Sequence, residues 1–177
     1  MERDIQLAKA AGAAGVVLGV LTPEGMVDVP VTRHLVQIAR PMQVTFHRAF
    51  DVTRDLEAAL EDIIAAGADI VLTSGGAERI TEATDVVMKL VERAGTRIEV
   101  MGGSGVRVHN AAALWEATGV SAIHASLRRP LQQESAKPAH VLPDALPAYE
   151  LREEDVRALA AVLQNCAGNT SATGQFE

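Results

Sequence analysis

The sequence predicts an α/β fold of the (β/α)8 TIM-barrel type, here a partial barrel of about five parallel strands with crossover helices. Three observations predict it. Aliphatic runs recur at Val16, Val44, Ile70, Ile98 and Ala122-Ile123, and their starts at 16, 44, 70, 98 and 123 lie 28, 26, 28 and 25 residues apart. A strand with its crossover helix takes about 30 residues. Each run ends abruptly in polar or glycine residues, as in Thr45-Phe46-His47-Arg48 and Leu72-Thr73-Ser74-Gly75, which is where barrel enzymes hold their chemistry. Between the runs lie stretches with helical spacing of apolar residues, so strand and helix alternate.

Taken in order, residues 2–11 read as a helix through Ile5, Leu7 and Ala8, stopped by Gly12. Strand 16–21 follows, then a Thr22-Pro23-Glu24-Gly25 turn. Thr32 can cap a helix through Ala39, ended by Pro41. After the second strand, Asp51 or Thr53 can cap a helix over 54–66 with Leu56, Leu60, Ile63 and Ile64 on one stripe and Gly67 behind it. Ile80, Ala83, Val87, Leu90 and Val91 mark the next helix, closed by Gly95. Asn110 can cap another, containing Leu114 and Ala117, closed by Gly119. Residues 130–150 hold four prolines among polar residues and read as a surface loop. A closing helix is expected over 153–165 and a disordered tail over 168–177, which makes residues 1–167 the domain.

Composition narrows the function classes. The 177 residues are 48% hydrophobic, enough for one domain with its own core, and only 3% aromatic. The net charge is −7, and no basic stripe with interleaved aromatics exists, which argues against nucleic acid as a partner. No apolar run approaches the ~20 residues of a membrane span. A single cysteine, Cys166, excludes an internal disulfide framework and fits a reducing cytoplasm. Neither a Gly-Lys-Ser/Thr phosphate loop nor a dinucleotide glycine fingerprint is present.

The strand ends supply the candidate site. His47 can act as acid, base or metal ligand, and Arg48 offers a planar fork for carboxylate or phosphate. Adjacent strand residues face opposite ways, so the alternative is an Arg48–Asp51 ion pair that holds the loop. His124 and Ser126, two apart, can present an imidazole and a hydroxyl to an anion, a metal or a substrate oxygen. The alternative is a histidine satisfied by neighbouring backbone. Amides of Gly102, Gly103 and Gly105 can approach a phosphate closely, or these glycines serve a tight turn. Ser74, with Gly75 and Gly76, has the same two readings. Arg107 and Arg128 either complete an anion pocket or stay solvated. His34, His109 and His140 read as surface residues.

Together, Gly15-Val16-Val17-Leu18-Gly19, Thr45-Phe46-His47-Arg48-Ala49-Phe50-Asp51, Leu72-Thr73-Ser74-Gly75, Met101-Gly102-Gly103-Ser104-Gly105-Val106 with Asn110, and Ile123-His124-Ala125-Ser126 resemble the copper homeostasis protein CutC family. The resemblance spans residues 1–128, and the Thr45–Asp51 run is its most specific part. It implies a cytoplasmic barrel linked to copper tolerance and copper binding, with copper as the metal. It also implies that this chain begins at the family's fourth strand. The family's proposed Cu(I) cysteines, with rim glutamates and an arginine, lie on the three strands before it. What carries over is His47, Arg48, Asp51, Ser74, Gly102, Gly103, Gly105, His124 and Ser126. Ile123 stands where the family has an aromatic residue, and Ser104 where it favours glycine.

Three functions follow as expectations. One is a copper homeostasis protein, with His47 and His124 as metal ligands. The second is a barrel enzyme acting on a phosphorylated or carboxylated small molecule, with His47 and His124 as acid and base and Arg48 as clamp. The third is a non-functional fragment. A five-strand arc leaves two open edges, and Val44, Phe46, Val71 and Val100 are expected to face its uncovered interior. A second copy is therefore expected to cover the arc, or else the chain is part of a longer protein.

Overall fold

The computed structural model describes residues 1–130 and 149–172. Five helix–strand pairs come first: α1 (Glu2–Ala10) and β1 (Gly15–Leu18), α2 (Val29–Ala39) and β2 (Gln43–Phe46), α3 (Leu56–Ala66) and β3 (Ile70–Thr73), α4 (Thr84–Ala94) and β4 (Glu99–Gly103), α5 (Ala111–Thr118) and β5 (Ala122–His124). A two-residue ribbon of β6 (Arg129–Pro130) and β7 (Tyr149–Glu150) leads into α6 (Glu153–Ala172). The sheet runs β1-β2-β3-β4-β5, and every neighbouring pair is parallel. Sequential order with crossovers of one hand puts the helices on one face of the sheet. Consecutive helices touch from α1 to α6. This is the expected partial barrel.

Burial shows which face the helices take. Register lines up Leu18 with Phe46, Phe46 with Val71, and Val71 with Val100. Exposures of Val44, Phe46, Val71 and Val100 are 0, 0, 1 and 4%, and all four join the core. They lie beneath the helices and do not face the barrel interior, which corrects the expectation above. The opposite parity, Val17, Thr45, Leu72 and Met101, faces the uncovered side, and Val17 is 65% exposed. Strands of a parallel sheet read as unbroken aliphatic runs, so the sequence carries no alternation from which to choose a face.

Local chemistry sets the ends. Asp28, not Thr32, caps α2 by accepting from the Val31 amide at 3.0 Å, while Thr32 is fully buried inside the helix. Asp55, not Asp51 or Thr53, caps α3 through the Glu57 and Ala58 amides. Gly67 ends α3 at φ 89°, the left-handed conformation that glycine adopts without strain. Strand β1 stops at Leu18, and Leu21 instead bridges to Val27 in the following turn. Helix α6 runs past 165 to Ala172, so residues 168–172 are helical where a disordered tail was expected. The rest of that tail, and 131–148 of the proline-rich loop with His140, lie outside the described residues.

Candidate functional site

Parallel strands place all five C-terminal ends on one rim. At the end of β2 the chain turns through a single 3-10 turn, Phe50–Val52, with Phe50 fully buried beneath it. His47 and Arg48 diverge there. The His47 ring lies over Gly19, past the end of β1; a Cβ on Gly19 would stand 2.6 Å from its Nδ1 and Cε1. Arg48 reaches the other way, to the end of β3.

Asp51 is the hub of this rim. Its side chain is 4% exposed. It accepts from Arg48 Nε at 2.7 Å, Thr73 Oγ1 at 2.5 Å, the Ser74 amide at 3.1 Å and the Gly76 amide at 3.1 Å. The Ser74 hydroxyl accepts from Arg48 Nη2 at 2.7 Å and lies 2.6 Å from the Ala77 carbonyl and 3.0 Å from Asp51 Oδ2, which share its proton. Arg48 Nη2 also donates to the Ala77 carbonyl at 3.1 Å. Arg48, Asp51 and Ser74 thus satisfy one another and lash the β2 and β3 ends together. The Arg48–Asp51 ion pair that holds the loop, one of the two sequence readings, is present. Thr73, which the sequence reading passed over, completes it; nothing in the spacing of residues 51 and 73 signals the contact.

His47 is wired in a specific way. Its Nδ1 accepts from the Ala49 amide at 3.1 Å. A neutral imidazole carries one N–H, so the proton sits on Nε2, which is left to donate to a ligand oxygen. A metal requires a lone pair, and the accepting Nδ1 has spent its own on the backbone.

His124 closes β5, is exposed, and pairs in register with Gly103 on β4. Ser126 follows it and is also exposed. His47 and His124 share a rim and a face, but β3 and β4 stand between their strands. Three strand spacings make roughly 14 Å along the sheet. Both side chains belong to the parity that faces the uncovered side of the sheet.

Gly102 and Gly103 belong to β4 itself, not to a loop, with Gly102 in register with Thr73 and Ile123. Their lack of a side chain serves packing. A Cβ on Gly102 would meet Ile80 Cδ1 at 2.7 Å, and one on Gly103 would meet Leu72 Cδ1 at 2.7 Å. The loop begins at Ser104 and Gly105, both at φ 74°. Asn110 closes it, accepting from the Arg107 amide and donating to the Gly105 carbonyl, and so leaves α5 without a side-chain cap.

Cys166 lies elsewhere, on α6, lining a cavity of about 790 Å³ with Trp115, Val120 and Val162 in the helical layer. Among the described residues, no three or more His, Cys, Asp and Glu side chains gather to hold a metal, and no helix is long and apolar enough to cross a membrane.

The model of the CutC family matches residues 1–129. A family protein CutC of Chromobacterium violaceum is 49% identical over 128 residues, covering 72% of this chain and 52% of the relative. One from Xanthomonas campestris pv. campestris strain 8004 is 39% identical over 165 residues, covering 93% of this chain and 69% of the relative. A crystal structure named as a candidate copper homeostasis protein CutC, from Streptococcus agalactiae, superposes with a TM-score of 0.66 at 32% identity, covering 70% of this chain and 60% of that one. A structure named KDPGal covers 95% of this chain and 66% of its own at a TM-score of 0.60 but 14% identity, a likeness of fold alone. The chain thus spans about half the length of the first of these relatives. With the family model matched over nearly three quarters of its residues and the rim segments inside that match, this chain belongs to the CutC family.

Proposed function

We propose that this chain acts in copper homeostasis in the cytoplasm and meets copper as a cargo at its C-terminal rim. The family match over residues 1–129 carries the reading, because it includes every rim residue discussed above. The donors present do not fit a thiolate Cu(I) cage. Cu(I) selects thiolate and thioether ligands, and the one thiol sits in the helical layer. His47 has committed Nδ1 to backbone. Exposed His124 offers its ring at the end of β5.

The test is a Cu(I) titration of the purified chain against a competing chelator. Binding that His124→Ala abolishes and His47→Ala leaves intact is the expected result. No binding, or binding lost only with Cys166→Ser, overturns it. A second copy over the uncovered face, where Val17 is exposed, is the partner we propose. Sedimentation velocity should give a dimer, and a stable monomer counts against it.

One observation favours a second reading, an enzyme acting on a phosphorylated or carboxylated small molecule. His47 Nε2–H is free to donate to a substrate oxygen, while the Ala49 amide fixes the tautomer. Arg48 gives Nε and Nη2 to Asp51, Ser74 and Ala77 and keeps Nη1, on a side chain 40% exposed, for an anionic group. A thermal-shift screen of such metabolites should find a ligand whose shift shrinks in His47→Ala; a screen without any shift removes this reading.

A further inference from the structure

The rim has a second concentration of guanidinium groups, beyond Arg48, that no proposal above uses. Arg107 leaves the β4–α5 loop, Arg128 and Arg129 follow β5, and Asp155 lies in the first turn of α6. With His109 and Leu127 they line a cavity of about 300 Å³, at the lower end of small-molecule pockets. Three guanidinium groups face one carboxylate there, in a chain whose net charge is −7. Local charge therefore runs against the sign of the whole molecule, and an anion entering the cavity gains attraction that the rest of the surface denies it.

The pocket is built rather than incidental. Arg129 Nη2 donates to Asp155 Oδ1 at 2.5 Å, which ties the β5 exit to α6. Arg128 stacks over the Tyr149 ring, 5.0 Å from its centroid. Stacking uses the guanidinium face and leaves its in-plane N–H donors for a ligand. The Arg107 backbone is pinned by Asn110, and its Nη1 donates to the Val106 carbonyl. Leu127 takes φ 50° and is 7% exposed, so the chain buries the leucine and turns the next two arginines toward the cavity. Asp155 Oδ2 is buried with no hydrogen-bond partner among the described residues. A buried carboxylate oxygen without a donor is costly, and a ligand hydroxyl would supply one.

We infer that this cavity binds a small hydroxylated anion, a phosphate monoester or a hydroxycarboxylate. Arg107 and Arg128 hold the charged group, and Asp155 Oδ2 accepts from the ligand hydroxyl. The location agrees with the general habit of barrels, whose phosphate sites form from the loops after the last two strands and a nearby helix N-terminus. The inference rests on neither the copper reading nor the His47 reading.

Calorimetric titration of the full chain at low salt tests it, with sn-glycerol 3-phosphate, glycerate and inorganic phosphate as probes. Glycerol 3-phosphate or glycerate should bind, and the stronger of the two identifies the anion class. Arg107→Gln and Arg128→Gln should each weaken binding about tenfold, as loss of one charged hydrogen bond does. Arg3→Gln, on remote α1, should change nothing. Asp155→Ala should narrow the gap between glycerol 3-phosphate and inorganic phosphate. The inference is overturned if no probe binds up to about 10 mM. It is equally overturned if the Arg107→Gln/Arg128→Gln double variant binds as the parent does, or if Arg3→Gln weakens binding as much as the pocket variants.

Discussion

Replacing Asp51 by alanine should be among the most damaging single changes on the rim. The carboxylate accepts from two donors on fully buried residues, Thr73 Oγ1 and the Ser74 amide, and from Arg48 and Gly76. Each buried donor left without a partner costs about 1–3 kcal/mol, so these two alone cost about 2–6 kcal/mol. Arg48, with a side chain 40% exposed, rehydrates and adds little. The expected loss is therefore about 3–5 kcal/mol, which in a chain of this size lowers Tm by about 6–20 °C. Urea denaturation followed by circular dichroism measures it, with calorimetry as a second probe. Arg48→Ala should cost less, because Asp51 keeps its neutral donors. A loss below about 1 kcal/mol for Asp51→Ala, or the reverse order of the two variants, would refute the assignment of Asp51 as the acceptor that holds the two strand ends.

Three further outcomes are expected. Gly19→Ala places a methyl 2.6 Å from the His47 ring; it should cost about 1–3 kcal/mol and displace the imidazole, which ¹⁵N chemical shifts of the ring will report as loss of the single Nε2–H tautomer. Phe46→Ala should cost about 3–5 kcal/mol and Val17→Ala within about 0.5 kcal/mol, measured by urea unfolding; similar costs would contradict the assignment of faces. Arg97, with Arg93, holds the Glu61 carboxyl down from 4.5 to about 2. A carboxylate with a depressed folded-state pKa contributes stability that is whole above 4.5 and is lost as pH falls toward 2, so Glu61→Gln should flatten that acid limb in unfolding measured across pH 2–5.

The fold was legible because buried parallel strands must be aliphatic and must recur once per crossover; Val16, Val44, Ile70, Ile98 and Ile123 announce them. The same uniformity hid the faces: Val44 and Thr45 differ in burial only because helices lie on one side. At α3 two acidic residues compete for the cap. Asp51 and Asp55 both precede α3, and long-range donors on β3 claimed the first. The Arg48–Asp51 pair was visible as a short-range spacing, whereas Thr73 and Gly76 enter through strand pairing that residue order does not display. Gly102 and Gly103 suggested a loop by composition, but Ile80 and Leu72 require them inside β4. Asp155 gave no signal, since it meets Arg129 only after the chain returns through β7 into α6.

The hydrogen bond from the Ala49 amide to His47 has a consequence for any reaction at this rim. A histidine that relays protons takes one up at one nitrogen and delivers it from the other. With Nδ1 sealed against the main chain, this ring has a single gate. Whatever proton leaves through Nε2 must come back through Nε2, so its return depends on access to that one nitrogen.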